Sequence, residues 1–187
     1  TLETWSRLGF KRPSDICRVI RTWHFGRYRA TQSAEARERL TELTPALLEA
    51  FGKTSKADKA LMRFDQFLAG LPAGIQLFSL LQSNPGLLRL LATIMSAAPR
   101  LSAIITRHPH VFDGLLDPAM LAELPDRAYL SGRLDAFIDP SAQYEEVLDR
   151  LRIFGAEQKF LIGVRLLAGT IDAARAGKAF SDLADLT

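Results

Sequence analysis

Cysteine is all but missing from this chain: Cys17 is the only one in 187 residues. No intrachain disulfide can form, and such usage fits a reducing, cytoplasmic setting. No apolar run approaches the length of a membrane span, so no membrane contact is expected. The first residues carry no basic-then-apolar leader. Strand-type alternation, low-complexity tracts and a fixed-period repeat are also absent. The net charge is only +3, too mild by itself to imply a polyanionic partner. What is present suffices for a folded domain, since 48% apolar residues supply a core and 24% charged residues a soluble surface. At this length one domain spanning residues 1–187 is expected, with subdomains 1–72 and 73–187 as the alternative division. The chain opens on Thr1 rather than Met and is read as a piece of a larger multidomain protein.

Prolines punctuate a helical pattern. Ile16, Val19, Ile20 and Trp23 stripe a first helix from about Pro13, and Gly26 ends it. Ser33 caps a second, with Leu40, Leu43, Leu47 and Leu48 inward. Thr44-Pro45 either kinks that helix or starts a new one. Residues 52–57 read as a loop. Leu61, Phe64, Phe67 and Leu68 mark a helix that stops before Pro72. Ile75, Leu77, Phe78, Leu80 and Leu81 make an all-apolar helix expected to lie centrally. Asn84-Pro85 is a capped start, with the proline at the first helical position. Pro99 and Pro109 break the pattern again. Asp117-Pro118 and Asp139-Pro140 repeat the opening device. Residues 126–138 read as a helix interrupted at Gly132. From Ser141 to about Ala176 no proline occurs, and a helix of that length would span roughly 50 Å. Gly155 and Gly163, two turns apart on it, would admit a close neighbour. The fold class predicted is all-α, a multi-helix bundle with one long C-terminal spine helix.

Few side-chain groups suggest chemistry. Phe51-Gly52-Lys53-Thr54 imitates the end of a phosphate-binding loop, but Leu47 stands where the motif needs its first glycine and no buried strand precedes it. A helix end explains it better. His108 and His110 flank a proline, with Asp113 and Asp117 near in sequence. Spacing of two does not put ligands on one helical face, and capping roles are expected instead of a metal. Glu145, Glu146 and Asp149 suit the positive end of a helix, and Asp149 can reach Arg152. Arg165 interrupts the apolar run FLIGVRLLA, so it either pairs inside the domain or meets a neighbouring one. Residues 1–30 carry seven Lys and Arg against two acids, interleaved with Trp5, Phe10, Trp23, Phe25 and Tyr28. Because part of that aromatic set falls on the core stripe, the expectation is a surface for another protein or domain, and no nucleic acid.

Several stretches carry a resemblance. They are LGFKRPSDICRVIRTWHFGRYRATQSAEARERL (Leu8 to Leu40), TPALLEAF, ALMRFDQFLAGLPAGIQLFSLLQSNPGLLRLLATIMSAAPRLSAIITRHPHVFDGLLDP, and the tail from DRLRIFGAEQKF onward. Together they resemble the glutamine synthetase adenylyltransferase family, in a form similar to alphaproteobacterial members. These bifunctional enzymes of nitrogen metabolism attach AMP to, and remove it from, a tyrosine of glutamine synthetase. Members carry two nucleotidyltransferase domains, each with a glycine-serine signature and paired aspartates. That signature is missing here, and Ser181-Asp182-Leu183-Ala184-Asp185 only imitates it, so no catalytic, cofactor-binding or metal residue carries over.

The resemblance implies the helical region before the second nucleotidyltransferase domain, inactive alone. It would position the domain that transfers AMP and relay regulation by PII proteins and glutamine. ATP and magnesium would belong to the parent enzyme, and no cofactor to this chain. Partners implied are the adjacent nucleotidyltransferase domains, glutamine synthetase and PII. Arg152, Glu157, Lys159 and Arg165 are the expected interdomain contacts. The alternative is an independent helical protein-binding adaptor without enzymatic activity.

Overall fold

The computed structural model describes residues 2–111, 124 and 126–187, and among these it is all-α with no strand. The chain forms two compact units, Thr1–Pro109 and His110–Thr187. Among the described residues no single helix is long and apolar enough to cross a membrane.

In the first unit, α1 (Leu2–Arg7) and α2 (Pro13–His24) lead through a 3-10 turn (Arg29–Thr31) into α3 (Ala34–Gly52). Then follow α4 (Ala57–Gly70), α5 (Ile75–Ser83), α6 (Pro85–Ala97) and α7 (Pro99–Arg107). Helix α5 lies on α3, while α6 and α7 lie on α4. Elements on both sides of Pro72 therefore share one core, and the chain divides after Pro109 rather than after residue 72. Central positions go to α3 and α4, not to α5. That nine-residue helix buries only Leu77, Phe78 and Leu81, so its all-apolar composition overstates its depth.

Local chemistry explains the boundaries. Ser33 accepts from the Ala36 amide and Asn84 from the Leu87 amide, each at 3.1 Å. Helix α2 ends as expected at Gly26, whose φ of +65° suits glycine, with the Arg27 amide reaching the Thr22 carbonyl. Helix α3 continues through Pro45. Proline removes one backbone donor, but Leu40, Leu43, Leu47, Leu48 and Phe51 all stay buried along that helix. Thr44 also donates its hydroxyl to the Leu40 carbonyl at 2.6 Å. At Pro99 the chain turns by 111° between α6 and α7. Carbonyls at the end of α6, those of Met95 and Ser96, accept from the Arg63 guanidinium.

A carboxylate ties α4 to the N-terminal elements. One oxygen of Asp65 accepts from the Trp23 indole at 2.8 Å and from the Tyr28 hydroxyl at 3.0 Å. Burial first, then this hydrogen bond and the negative charge, push the Tyr28 phenol from 10.0 up to about 12. Asp65→Asn keeps an acceptor but loses the charge, so it is expected to cost about 1–2 kcal/mol. It should also bring the Tyr28 titration back toward the ordinary phenol value of 10.0, as read by tyrosinate absorbance. The sign of the linkage is fixed by the raised folded value. Tyr28's contribution is complete below pH 10.0 and is lost as pH rises through about 12.

The second unit contains α8 (Arg127–Phe137), α9 (Tyr144–Leu167) and α10 (Ala173–Leu186). Its core gathers Leu130, Leu134, Phe154, Ile162, Ile171, Ala176, Ala179 and Leu183. Helix α8 continues through Gly132 instead of breaking there. A side chain at that position would meet open space, so glycine costs propensity only. Asp139-Pro140 forms a turn rather than a helix start: the Asp139 carboxylate accepts from the Ser141 amide at 2.8 Å and hydroxyl at 2.7 Å. Those bonds, the backbone one foremost, hold its carboxyl below the usual range.

The expected spine is shorter than its proline-free span. Helix α9 has 24 residues, about 36 Å by the helical rise, and does not continue to Ala176. Gly169 adopts φ +73°, the Thr170 amide reaches back to the Arg165 carbonyl, and the Gly169 amide to that of Leu166. This paired capping terminates the helix without proline. Asp172 then caps α10 by accepting from the Arg175 amide at 2.7 Å.

Candidate functional site

The Gly52 segment is a backbone crossing. An added Cβ on Gly52 would lie 2.0 Å from the Leu8 carbonyl oxygen, and one on Gly9 would lie 2.4 Å from the Gly52 oxygen. Glycine stands here because two stretches of main chain touch. Lys53 pairs with Glu49 one turn back, and that bond lowers the Glu49 carboxyl's affinity for protons. Thr54 donates to the Phe51 carbonyl at 2.7 Å. Each polar group expected of a phosphate loop is thus occupied with closing the helix end.

His110 meets Glu157 of α9, Nε2 to Oε1 at 2.9 Å. His108 caps α7, its amide bonded to the Ile104 carbonyl at 2.8 Å. Asp113 and Asp117 lie outside the described residues. Among the described residues no three His, Cys, Asp or Glu side chains converge. The contact between His110 and Glu157 was not legible in the sequence, where the partners stand 47 residues apart.

Glu145 and Glu146 sit in the first turn of α9, where carboxylates oppose the helix dipole. Asp149 bonds Arg152 at 2.9 Å, the spacing read from the sequence. The four expected interdomain residues separate by exposure. Arg152 and Lys159 are exposed, two turns apart on one face of α9. Glu157 is half-buried by its bond to His110. Arg165 is 2% exposed, and burial lowers its guanidinium pKa. Gly155 is buried, with Thr187, the residue that follows α10, in ordinary contact above it, 3.8 Å from where a Cβ would stand. Gly163 is buried too. The outward strip of α9 therefore presents Glu145, Asp149, Arg152 and Lys159 to solvent.

Comparison with known proteins gives a consistent result. Residues 88–187 match the family model described as glutamate-ammonia ligase adenylyltransferase. The chain is 81% identical over 187 residues to the bifunctional glutamine synthetase adenylyltransferase/adenylyl-removing enzyme of Mesorhizobium japonicum. It is 74% identical over 186 residues to the enzyme of the same description from Brucella melitensis, and each alignment covers 100% of this chain but 19% of the relative. The protein so described from Bradyrhizobium diazoefficiens is 44% identical over 178 residues, 95% of this chain and 18% of that relative. The chain spans about a fifth of the length of the curated relatives it matches.

Proposed function

The chain belongs to the glutamate-ammonia ligase adenylyltransferase family, and from that premise we propose that it is a noncatalytic helical region of such an enzyme, one that holds a neighbouring nucleotidyltransferase domain in working position. The observation that carries this reading is the contrast between a match over the whole of this chain to about a fifth of bifunctional relatives and the absence, among the described residues, of any convergent group of metal-ligating side chains. AMP transfer from ATP to a tyrosine of glutamine synthetase, with magnesium, belongs on this reading to parts of a cytoplasmic parent outside this chain. No step of that chemistry is assigned to residues here. The region's contribution is geometric: α9 and α10 joined at a capped corner, with buried apolar contacts from Phe154 to Leu183.

A rigid corner is the lever by which PII and glutamine signals would pass, in place of an unbroken spine. Coupling then requires two arrangements of that corner relative to its neighbour. Within the exposed strip of α9, Arg152 and Lys159 are the proposed interdomain contacts. Glu157 contributes through His110, and Arg165 through packing inside the chain. In the full-length enzyme, R152E/K159E is expected to lower glutamine synthetase adenylylation about five- to tenfold, the size of one interfacial charge pair reversed. Its melting midpoint should stay unchanged, because both positions are exposed. Unaltered adenylylation and unaltered response to PII and glutamine in that variant would remove α9's outer strip from the interface.

A further inference from the structure

From Arg18 to Ala34 the chain carries four arginines and no carboxylate. Arg18 is balanced by Asp15 at 3.0 Å. Arg21, Arg27 and Arg29 are exposed, and among the described residues none of the three has an ion-pair partner. Between them in the chain stands Phe25, which closes α2 and is 75% exposed. Arg21 lies one turn before it on the same side of the helix. Gly26 then turns the chain with positive φ, and Arg27 and Arg29 follow within four residues of the ring in the chain. Arg37 braces this turn: its guanidinium donates to the Thr31 carbonyl at 3.2 Å and to that of Gln32, and it lies against Gly26.

A solvated aromatic ring with three exposed arginines within four residues of it in the chain, none of them in an ion pair among the described residues, has the composition of a protein-binding hot spot, where a ring fills a pocket and forked arginines grip carboxylates. We propose that Arg21, Phe25, Arg27 and Arg29 form a docking surface for a separate acidic protein, one presenting a carboxylate-rich segment around an apolar pocket for the Phe25 ring. Charge complementarity selects this occupant. Two copies of the chain would set arginine against arginine across a two-fold axis. Single-stranded nucleic acid needs a track of rings on which successive bases stack, but Trp23 and Phe10 are 0% and 2% exposed, Trp5 is half-buried and Tyr28 is half-buried and bonded to Asp65, which leaves Phe25 as the one fully exposed ring of this group. A face so polar when empty also suits a reversible encounter better than permanent interdomain contact, which is more apolar. The inference is independent of the scaffold reading, because its test measures no AMP transfer.

The test is photocrosslinking in living cells with the full-length parent carrying Phe25→p-benzoylphenylalanine. One adduct with a separate protein is expected, mapping by mass spectrometry to a stretch where Asp and Glu outnumber Lys and Arg. Adding R21E/R27E/R29E should cut the yield about tenfold, and crosslinking at 0.5 M salt in lysate should cut it about threefold, since both remove electrostatic steering. R21K/R27K/R29K, which keeps the charge, should retain most of the adduct and guards against a folding defect. No adduct, an adduct confined to the parent's own polypeptide, to a second copy or to nucleic acid, or a yield indifferent to the charge reversal would each overturn the proposal.

Discussion

Phe64→Ala is expected to destabilise the chain by about 3–5 kcal/mol, the usual cost of emptying a large buried aromatic site. In a protein of this size that lowers the melting midpoint by roughly 6–20 °C. Phe64 is 0% exposed on α4, and rings from three helices meet it. Trp23 of α2 stands edge-on at 5.7 Å and 82°, Phe51 of α3 is tilted at 5.4 Å, and Phe67 of α4 lies at 6.2 Å. Edge-on and tilted pairs at these separations add to the area term, because the positive ring edge meets a negative face. The backbone positions of α2, α3 and α4 are fixed by other contacts, so the void cannot close cheaply. Phe64→Leu, which leaves a smaller hole, should lose about half as much by the same reasoning. Phe25→Ala is the control: with its ring 75% exposed it should change the midpoint little. Equal midpoints for Phe64→Ala and Phe25→Ala in urea or heat would remove Phe64 from the centre of the first unit.

Periodicity alone places Phe64 inward, and the same is true of Leu40, Leu43, Leu47, Leu61 and Leu68. Stripes at helical spacing, capped by Ser33 and Asn84, made most of the first unit legible. Proline was a less reliable guide. It ended α6 at Ala98, yet α3 passes through Pro45, because the residues after it continue the same buried stripe. Absence of proline misled in the opposite sense at α9. The signals that end that helix lie in the sequence, a glycine at 169 and an acid at 172 positioned to cap the next, but they are weaker than a proline. At Asp139-Pro140 the carboxylate turned on the nearby Ser141 instead of capping a helix.

Site residues were harder to read for a different reason. Contacts such as His110 with Glu157, or Asp65 with Trp23 and Tyr28, join residues more than thirty positions apart. Local pattern carries no information on such pairs. Sequence did identify Arg165 as anomalous, since a charge in an apolar run must be accommodated. It left open whether the answer lay inside the domain or beyond, and the structure buries the side chain. Basic and aromatic residues near the N-terminus were likewise visible, but only packing separated the core rings from the exposed one.

Gly52→Ala is expected to cost about 3 kcal/mol, the upper part of the range for overpacking a close-packed site. The new Cβ would stand 2.0 Å from the Leu8 carbonyl oxygen, whereas C···O contacts settle at about 3.3 Å or more. Main chain obstructs it, not the tip of a flexible side chain, so relief requires lifting the whole 8–10 segment. That segment is anchored by Phe10, 2% exposed, and by the Lys11 and Arg12 amides donating to the Asp58 carboxylate at 3.0 and 2.9 Å. The variant must therefore either strain α3's last turn or release α1 from the unit. Hydrogen exchange distinguishes these outcomes, and faster exchange over residues 2–12 is the expected one.

Gly9→Ala attacks the same crossing from the other side, with a φ of +103° and a Cβ 2.4 Å from the Gly52 oxygen. Either substitution alone opens the crossing, so the double variant should cost clearly less than the sum of the two. Strict additivity would mean that the two glycines act independently and that no shared backbone contact exists. Nucleotide binding gives a further contrast, because a phosphate loop at Gly52 would make nucleotide affinity, rather than stability, the first property lost. The crossing predicts the reverse: stability lost, with no change in nucleotide affinity caused by the mutation itself.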